Sequence, residues 1–167
     1  MSDIKGKAIV LNMNNVSTDQ IFPGQYVNLT DPNEIAEHVL EGADKSFKNR
    51  IKTGDILVAG NNFGCGSSRE QAVITLKEAG FAAVIANSVG RIWYRNAINL
   101  GLPVLICEGF VNQVEEGDEI EVNLKEGIAK NSSKGTIAKG NAISDFVLNI
   151  FANGGIKPMM KSKILSK

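Results

Sequence analysis

The chain has 167 residues, 43% of them apolar and 22% charged, with eighteen Lys and Arg against eighteen Asp and Glu. That length and composition suit one globular domain, residues 1–167, with a core of its own. Charge balance leaves no electrostatic case for nucleic acid or a membrane surface, and no apolar run is long enough to span a bilayer. Two cysteines, Cys65 and Cys107, are too few for a disulfide framework or for an iron–sulfur ligand set, so no metal is assigned to this chain. The polar opening, Met1 to Lys7, does not resemble a signal peptide, and a cytoplasmic chain is expected. The Lys-rich stretch from Lys157 to Lys167 reads as a solvated end.

The first strand is expected over Lys7 to Asn12, followed by a polar, turn-prone segment from Asn14 to Gly24. Asp31-Pro32-Asn33-Glu34 opens a helix, with Asp31 as N-cap, Pro32 at the first helical position and Glu34 completing a capping box. Ile35, Ala36, Val39 and Leu40 give it an apolar face, and Gly42 ends it. Asp55 to Gly60 is a continuous apolar run, as in a strand buried on both faces. A glycine-rich loop leads to a helix from about Ser68 to Ala79, with Gly80 as its stop. Phe81 to Ala86, a helix over Gly90 to Leu100 closed by Gly101, and Leu102 to Cys107 complete a parallel βαβαβ unit. The last third changes character. Glu119 to Leu124 alternates apolar with polar residues, and turns at Gly127, Gly135 and Gly140 predict short antiparallel strands. Ser144 caps a final helix through about Ala152, stopped at Gly154 and Gly155. The fold class is α/β, with β-rich material beside the parallel unit.

The loop Asn61 to Glu70 leaves the carboxyl end of a buried strand, where parallel sheets place their ligands. Gly64 and Gly66 let the backbone come close to a ligand. A helix N-terminus offers free N–H groups to an anion, and Arg69 offers a planar fork for a carboxylate. A serine hydroxyl is a poor base unless donors and positive charge hold its alkoxide. In such a setting Ser67 or Ser68 can take a carbon-bound proton beside a carboxylate. The same Ser67–Glu70 spacing also reads as a plain capping box. No Gly-Lys-Ser/Thr follows, and Gly64 to Arg69 fails the dinucleotide fingerprint, which weighs against a nucleotide-binding domain.

Asn62 to Glu70, NFGCGSSRE, resembles the signature of the small subunits of 3-isopropylmalate dehydratase and homoaconitase and of the swivelling domain of aconitase. NNVSTDQIFPGQY (Asn14 to Tyr26) is similar to the family's early Asp-Thr-Asp segment, and AVIANSVGRIWYRNAINLGLP (Ala83 to Pro103) to its later one. The resemblance covers roughly residues 7 to 107. It implies a swivelling β/β/α domain and a large-subunit partner, in a heterodimer or heterotetramer, that carries a [4Fe–4S] cluster acting as Lewis acid. It implies a hydro-lyase that interconverts 2- and 3-isopropylmalate by dehydration and rehydration, as in leucine biosynthesis. By the same resemblance Ser67 is the general base, Ser68 and Arg69 bind substrate together with Gly66, and Asp19 supports the site.

Three departures from the family pattern stand out. Ser17 replaces a frequent aspartate, Gln71 a frequent histidine, and Tyr26-Val27-Asn28-Leu29-Thr30 a common Tyr-Leu-Arg-Thr. In the family this last loop helps select the substrate side group. Val27 and Leu29 suit an alkyl group, and Asn28 has no charge to pair with an extra carboxylate. Isopropylmalate or a smaller alkyl-malate is therefore expected over homoaconitate, with citraconate/methylmalate and dimethylmalate as alternatives. A non-enzymatic anion-binding module is the rival from another class. His38 reads as a surface residue, Arg91 and Arg95 as a solvated face or a subunit contact, Trp93 and Tyr94 as packing or interface residues, and Cys65 and Cys107 as packing residues.

Overall fold

In the computed structural model of the chain, which describes residues 3–165, the first strand is β1 (Ile4–Leu11). Three short helices follow: α1 (Thr18–Ile21), α2 (Pro32–Ala36) and α3 (Phe47–Arg50). Next come β2 (Ile56–Ala59), α4 (Gln71–Glu78), β3 (Ala83–Ala86), α5 (Arg91–Leu100) and β4 (Val104–Ile106). The remainder holds β5 (Glu119–Asn123), β6 (Ile128–Asn131), β7 (Thr136–Lys139), α6 (Asp145–Ala152) and α7 (Ile156–Leu165).

The seven strands form one sheet in the order β4-β3-β2-β1-β5-β6-β7. β1 serves both halves of it. Its second part, Ala8 to Leu11, runs parallel to Ile56–Ala59, while Ile4 to Lys7 pairs antiparallel with β5. β2, β3 and β4 continue the parallel half, and β5, β6 and β7 the antiparallel half. Every residue of β2 and β3 is buried, because side chains of alternate parity enter different cores. Leu57, Ala59, Val84 and Ala86 meet Ala72, Val73 and Leu76 of α4 and Trp93 and Ala97 of α5. Ile56, Val58, Ala83 and Ile85 meet Val122, Ala129 and Phe151 from the antiparallel half and α6. The layers are helices, parallel sheet, antiparallel sheet, the β/β/α order expected. The sheet curls until its ends touch: the Asn141 N–H, just past β7, donates to the Ile106 carbonyl of β4 at 2.9 Å.

Several sequence expectations need correction. The helix expected from Ser68 starts at Gln71, with Glu70 as N-cap and no side chain capping it. Ser67 to Glu70 is therefore not a capping box, since both Ser67 and Arg69 are turned toward partners on the α1 segment. The helix expected from Asp31 to Gly42 keeps α geometry only to Ala36. Asp31 does cap it, accepting from the Asn33 N–H. Leu40 then takes φ +54° and donates its N–H to Ile21, so tertiary packing ends the helix before glycine does. The segment from Asn14 to Gly24 is not all turn. Ser17 caps α1 in a capping box with Gln20, which gives this serine the job an aspartate can do at the same place. The Lys-rich end is helical through Leu165, with Met159 buried; Ser166 and Lys167, like Met1 and Ser2 of the polar opening, lie outside the described residues. Among the described residues, no helix is long and apolar enough to cross a membrane.

Candidate functional site

The site grows from the carboxyl ends of three neighbouring parallel strands, whose pairing continues into the loops that leave them. The Asn15 N–H donates to Asn61, that of Gly64 to Val16 at 2.7 Å, and that of Thr18 to Cys65 at 2.8 Å. On the other side Phe63 donates to Ser88, and Gly90 donates back to Phe63. The loops after β1, β2 and β3 thus lie side by side in register. Asn15 and Asn62 reach φ +57° and +54° where the chain bends, a conformation asparagine tolerates better than most residues. The Phe63 ring meets Trp93 edge to face, centroids 5.0 Å apart, and the indole N–H donates to the Ala72 carbonyl. Trp93 is therefore a core residue that seats the loop on both α4 and α5.

This stacking fixes what Ser67, Ser68 and Arg69 can reach. The Ser67 hydroxyl lies 3.1 Å from the Thr18 hydroxyl of α1. The Ser68 carbonyl accepts from the Asn96 side chain at 3.2 Å. The Arg69 side chain is only 18% exposed; its guanidinium donates to the Phe22 carbonyl at 2.8 Å and lies 3.5 Å from Asp19. Asp19 in turn accepts the Gly24 N–H at 2.8 Å, so it braces both the arginine and the turn opposite. Among the described residues, the backbone N–H groups of Ser67, Ser68 and Arg69 find no protein acceptor. Three donors, two hydroxyls and a guanidinium thus gather at the head of one loop, ahead of the helix rather than on its first turn, and are of the kind a carboxylate can accept from.

An open cleft of about 510 Å³ joins this polar group to an apolar wall. Ser67, Ser68 and Arg69 supply its polar lining; Val27, Leu29, Ile35 and Ile74 supply its apolar wall, and Thr30, Glu70 and Gln71 complete it. The Gln71 side-chain amide donates to the Val27 carbonyl at 3.0 Å, and Thr75 donates to the Ile35 carbonyl at 2.8 Å. Helix α4 thereby holds both wall segments. Of the residues singled out in the sequence, Ser67, Ser68, Arg69, Val27 and Leu29 meet in the cleft. Asn28, Gly66 and Asp19 are exposed and outside the lining, and Gly66 borders a neighbouring cleft with Cys65 and Gly90. Thr18, Gln71 and Asn96 touch the site and were missed as parts of it. The sequence signal for Thr18 and Asn96 is that each lies in a segment resembling the family; Gln71 directly follows one and departs from the family pattern.

His38 is not a plain surface residue. Its ring stacks on Tyr26 with centroids 3.5 Å apart, and its Nδ1 lies 2.6 Å from Glu41, which also accepts the Tyr26 hydroxyl. Burial works against the charge on Glu41, but the bonds from His38 and Tyr26 prevail and hold its carboxyl below the usual range. Arg91 and Arg95 are exposed as expected, while Tyr94 is half-buried and burial pushes its phenol up. Cys107 lies in the core, where burial raises its thiol, and Cys65 is half-buried in the loop. These two cysteines stand apart, and among the described residues no group of three or more His, Cys, Asp and Glu is placed to hold a metal. The chain's own donors do not fit an iron–sulfur cluster.

Comparison with known proteins agrees with this architecture. The aconitase C-terminal domain family matches residues 18–108. The 3-isopropylmalate dehydratase small subunit of Caldicellulosiruptor bescii is 51% identical over 160 residues, 96% of each chain. The isopropylmalate/citramalate isomerase small subunit of Methanocaldococcus jannaschii is 49% identical, covering 98% of this chain and 96% of its own. The crystal structure of 3-isopropylmalate dehydratase from M. jannaschii matches with a TM-score of 0.91 at 42% identity, over 98% of this chain and 96% of that one. The aconitase X structure from Thermococcus kodakaraensis shares the fold alone, with a TM-score of 0.50 at 18% identity. Fold and relatives together define a hydro-lyase subunit of the aconitase superfamily. Within that class, the chain belongs to the family of 3-isopropylmalate dehydratase small subunits.

Proposed function

We propose that this chain is the base-bearing half of a cytoplasmic isopropylmalate isomerase of leucine biosynthesis, a single-domain subunit active only with a large subunit in a heterodimer or heterotetramer. The [4Fe–4S] cluster is assigned to that partner, as the resemblance to the family implies. The observation that carries the reading is the mixed lining of the cleft, in which Ser67, Ser68 and Arg69 come together with the apolar Val27, Leu29, Ile35 and Ile74.

Arg69 and the free N–H groups bind a carboxylate of the substrate, with Ser68 as a further donor. Ser67 takes the proton from the carbon beside that carboxylate. The C–H electron pair becomes the new double bond as the hydroxyl on the neighbouring carbon departs. Returning water with the positions of H and OH exchanged moves the hydroxyl, so the isomerisation consumes no net water. The alkyl group lies against Val27 and Leu29. Arg69 is the cationic side chain of the lining and Glu70 its acidic one, which disfavours a third carboxylate and hence homoaconitate.

The test is turnover of isopropylmalate, citraconate and homoaconitate by the two subunits co-expressed without oxygen, each subunit alone being the control. Isopropylmalate turnover confined to the mixture is expected. Turnover of citraconate alone would reassign the substrate to a methyl-malate. Absence of turnover with any acid, with the partner's cluster intact, would sink the reading in favour of an anion-binding module.

A further inference from the structure

The Thr18 side chain is unaccounted for in the scheme above. It is 2% exposed, yet it carries a hydroxyl, and its hydrogen-bond partner is the Ser67 hydroxyl, 3.1 Å away across 49 residues of sequence. A buried hydroxyl keeps its bond or pays a desolvation penalty. Thr18 has little freedom to look elsewhere. Its N–H is held by the Cys65 carbonyl and its own carbonyl receives the Phe22 N–H, both at 2.8 Å. Gly66, at φ +107°, leaves room for the approach, because a Cβ there would lie 3.3 Å from the Thr18 hydroxyl oxygen. Ser67, by contrast, is exposed on its other side and faces the cleft.

We infer that Thr18 is a positioning residue for the reaction, donating its hydroxyl proton to Ser67 Oγ and thereby aiming Ser67 and stabilising its alkoxide. The direction of the bond follows from the chemistry. A serine that has lost its proton can only accept, so Thr18 must donate. A bond to a charged oxygen is stronger than one between neutral hydroxyls. The contact therefore tightens as Ser67 ionises, and it favours the basic form. This role rests on Ser67 being the general base, so the experiment has one arm that needs no turnover.

In the two-subunit enzyme, Thr18→Val is near-isosteric and loses the donor. It is expected to lower kcat roughly 10- to 100-fold with KM little changed, and to move the acid limb of the pH–rate profile to higher pH. Thr18→Ser should restore both. Should Thr18→Val fail to assemble with the large subunit, Thr18→Ala is read in its place and carries the same expectation. In the second arm, Ser67→Cys turns the site atom into a thiol of the isolated chain. Its pH-dependent alkylation, resolved from that of Cys65 and Cys107 by peptide mass spectrometry, reports the acidity of the group at that position. Adding Thr18→Val should shift the alkylation midpoint upward by about half a pH unit or more. Wild-type kcat and pH profile in Thr18→Val, or an unmoved alkylation midpoint, would overturn the inference. A shifted midpoint in a protein without turnover on any malate-type acid would keep Thr18 as the partner of residue 67 while removing the isomerase reading.

Discussion

The α-carbon of Gly64 sits directly against the Trp93 side chain. A Cβ built there would fall within 2.7 Å of the Trp93 Cβ and closer still to the indole ring, at a backbone φ of +81°. Both facts exclude side chains, one by contact and the other by conformation. Gly64→Ala should therefore either displace Trp93 from the α4–α5 junction or unseat the loop that carries Ser67. The expected cost is about 2–4 kcal/mol, read as a drop in thermal midpoint together with a change in tryptophan fluorescence. An unchanged melting curve would mean that the loop is seated by other contacts.

Ser67→Ala removes the proposed base without touching the packed layers, since the side chain is exposed. Turnover by the two-subunit enzyme should fall by a factor of roughly 10² to 10⁴, with subunit association unchanged and the thermal midpoint lowered only modestly, because the buried Thr18 hydroxyl loses its partner. Retention of activity would transfer the base role to another group, and Ser68 would be examined next.

Arg69→Lys keeps the charge and loses the fork. The guanidinium reaches the Phe22 carbonyl and Asp19 at once, and a single ammonium cannot reproduce that anchoring while still presenting two donors to a carboxylate. KM should rise about tenfold or more, with a smaller change in kcat. Equal KM in the variant would show that carboxylate binding rests on the backbone donors instead.

Acid stability should trace in part to Asp118, far from the cleft. The Glu115 N–H and the Asn131 side-chain amide, each at 2.9 Å, hold its carboxyl below the usual range. With the folded-state pKa depressed, the stabilisation is present above the ordinary aspartate value and is lost as pH falls through the folded one. Thermal midpoints measured downward through the carboxylate range should therefore fall. In Asp118→Asn the curve should start lower at neutral pH and fall less steeply. Parallel curves for the two proteins would assign the acid loss to other carboxylates.

The parallel half was legible in the sequence because its strands are unbroken apolar runs and its α5 helix ends at Gly101, which takes φ +80° as a left-handed cap should. Ser144 was legible too, and it caps α6 through the Val147 N–H. The loop residues Ser67, Ser68 and Arg69 were found through a contiguous motif. What stayed hidden depends on register between distant segments. Leu11 aligned with Ala59 brings Ser17 beside Cys65, and only then does Thr18 meet Ser67. Local spacing likewise suggested a cap at Ser67, because a capping box and a loop braced from outside can share the same residues. The stacking of Tyr26 on His38 joins two segments whose meeting no periodicity announces.

The division of β1 between the two halves of the sheet bears on how the chain reaches its native state. Ala8–Leu11 must find a partner at residues 56–59, and Ile4–Lys7 a partner at residues 119–122. During synthesis the amino-terminal strand emerges first and its antiparallel neighbour more than a hundred residues later, so that edge of β1 waits open while the helical layer assembles. Contacts of such separation slow folding, and an unpaired strand edge is where nascent chains adhere to one another. The stretch that carries Ser67 belongs to the early half and can be shaped before β5 exists. Closing Ile4–Lys7 against β5 is what ends the exposure of that edge.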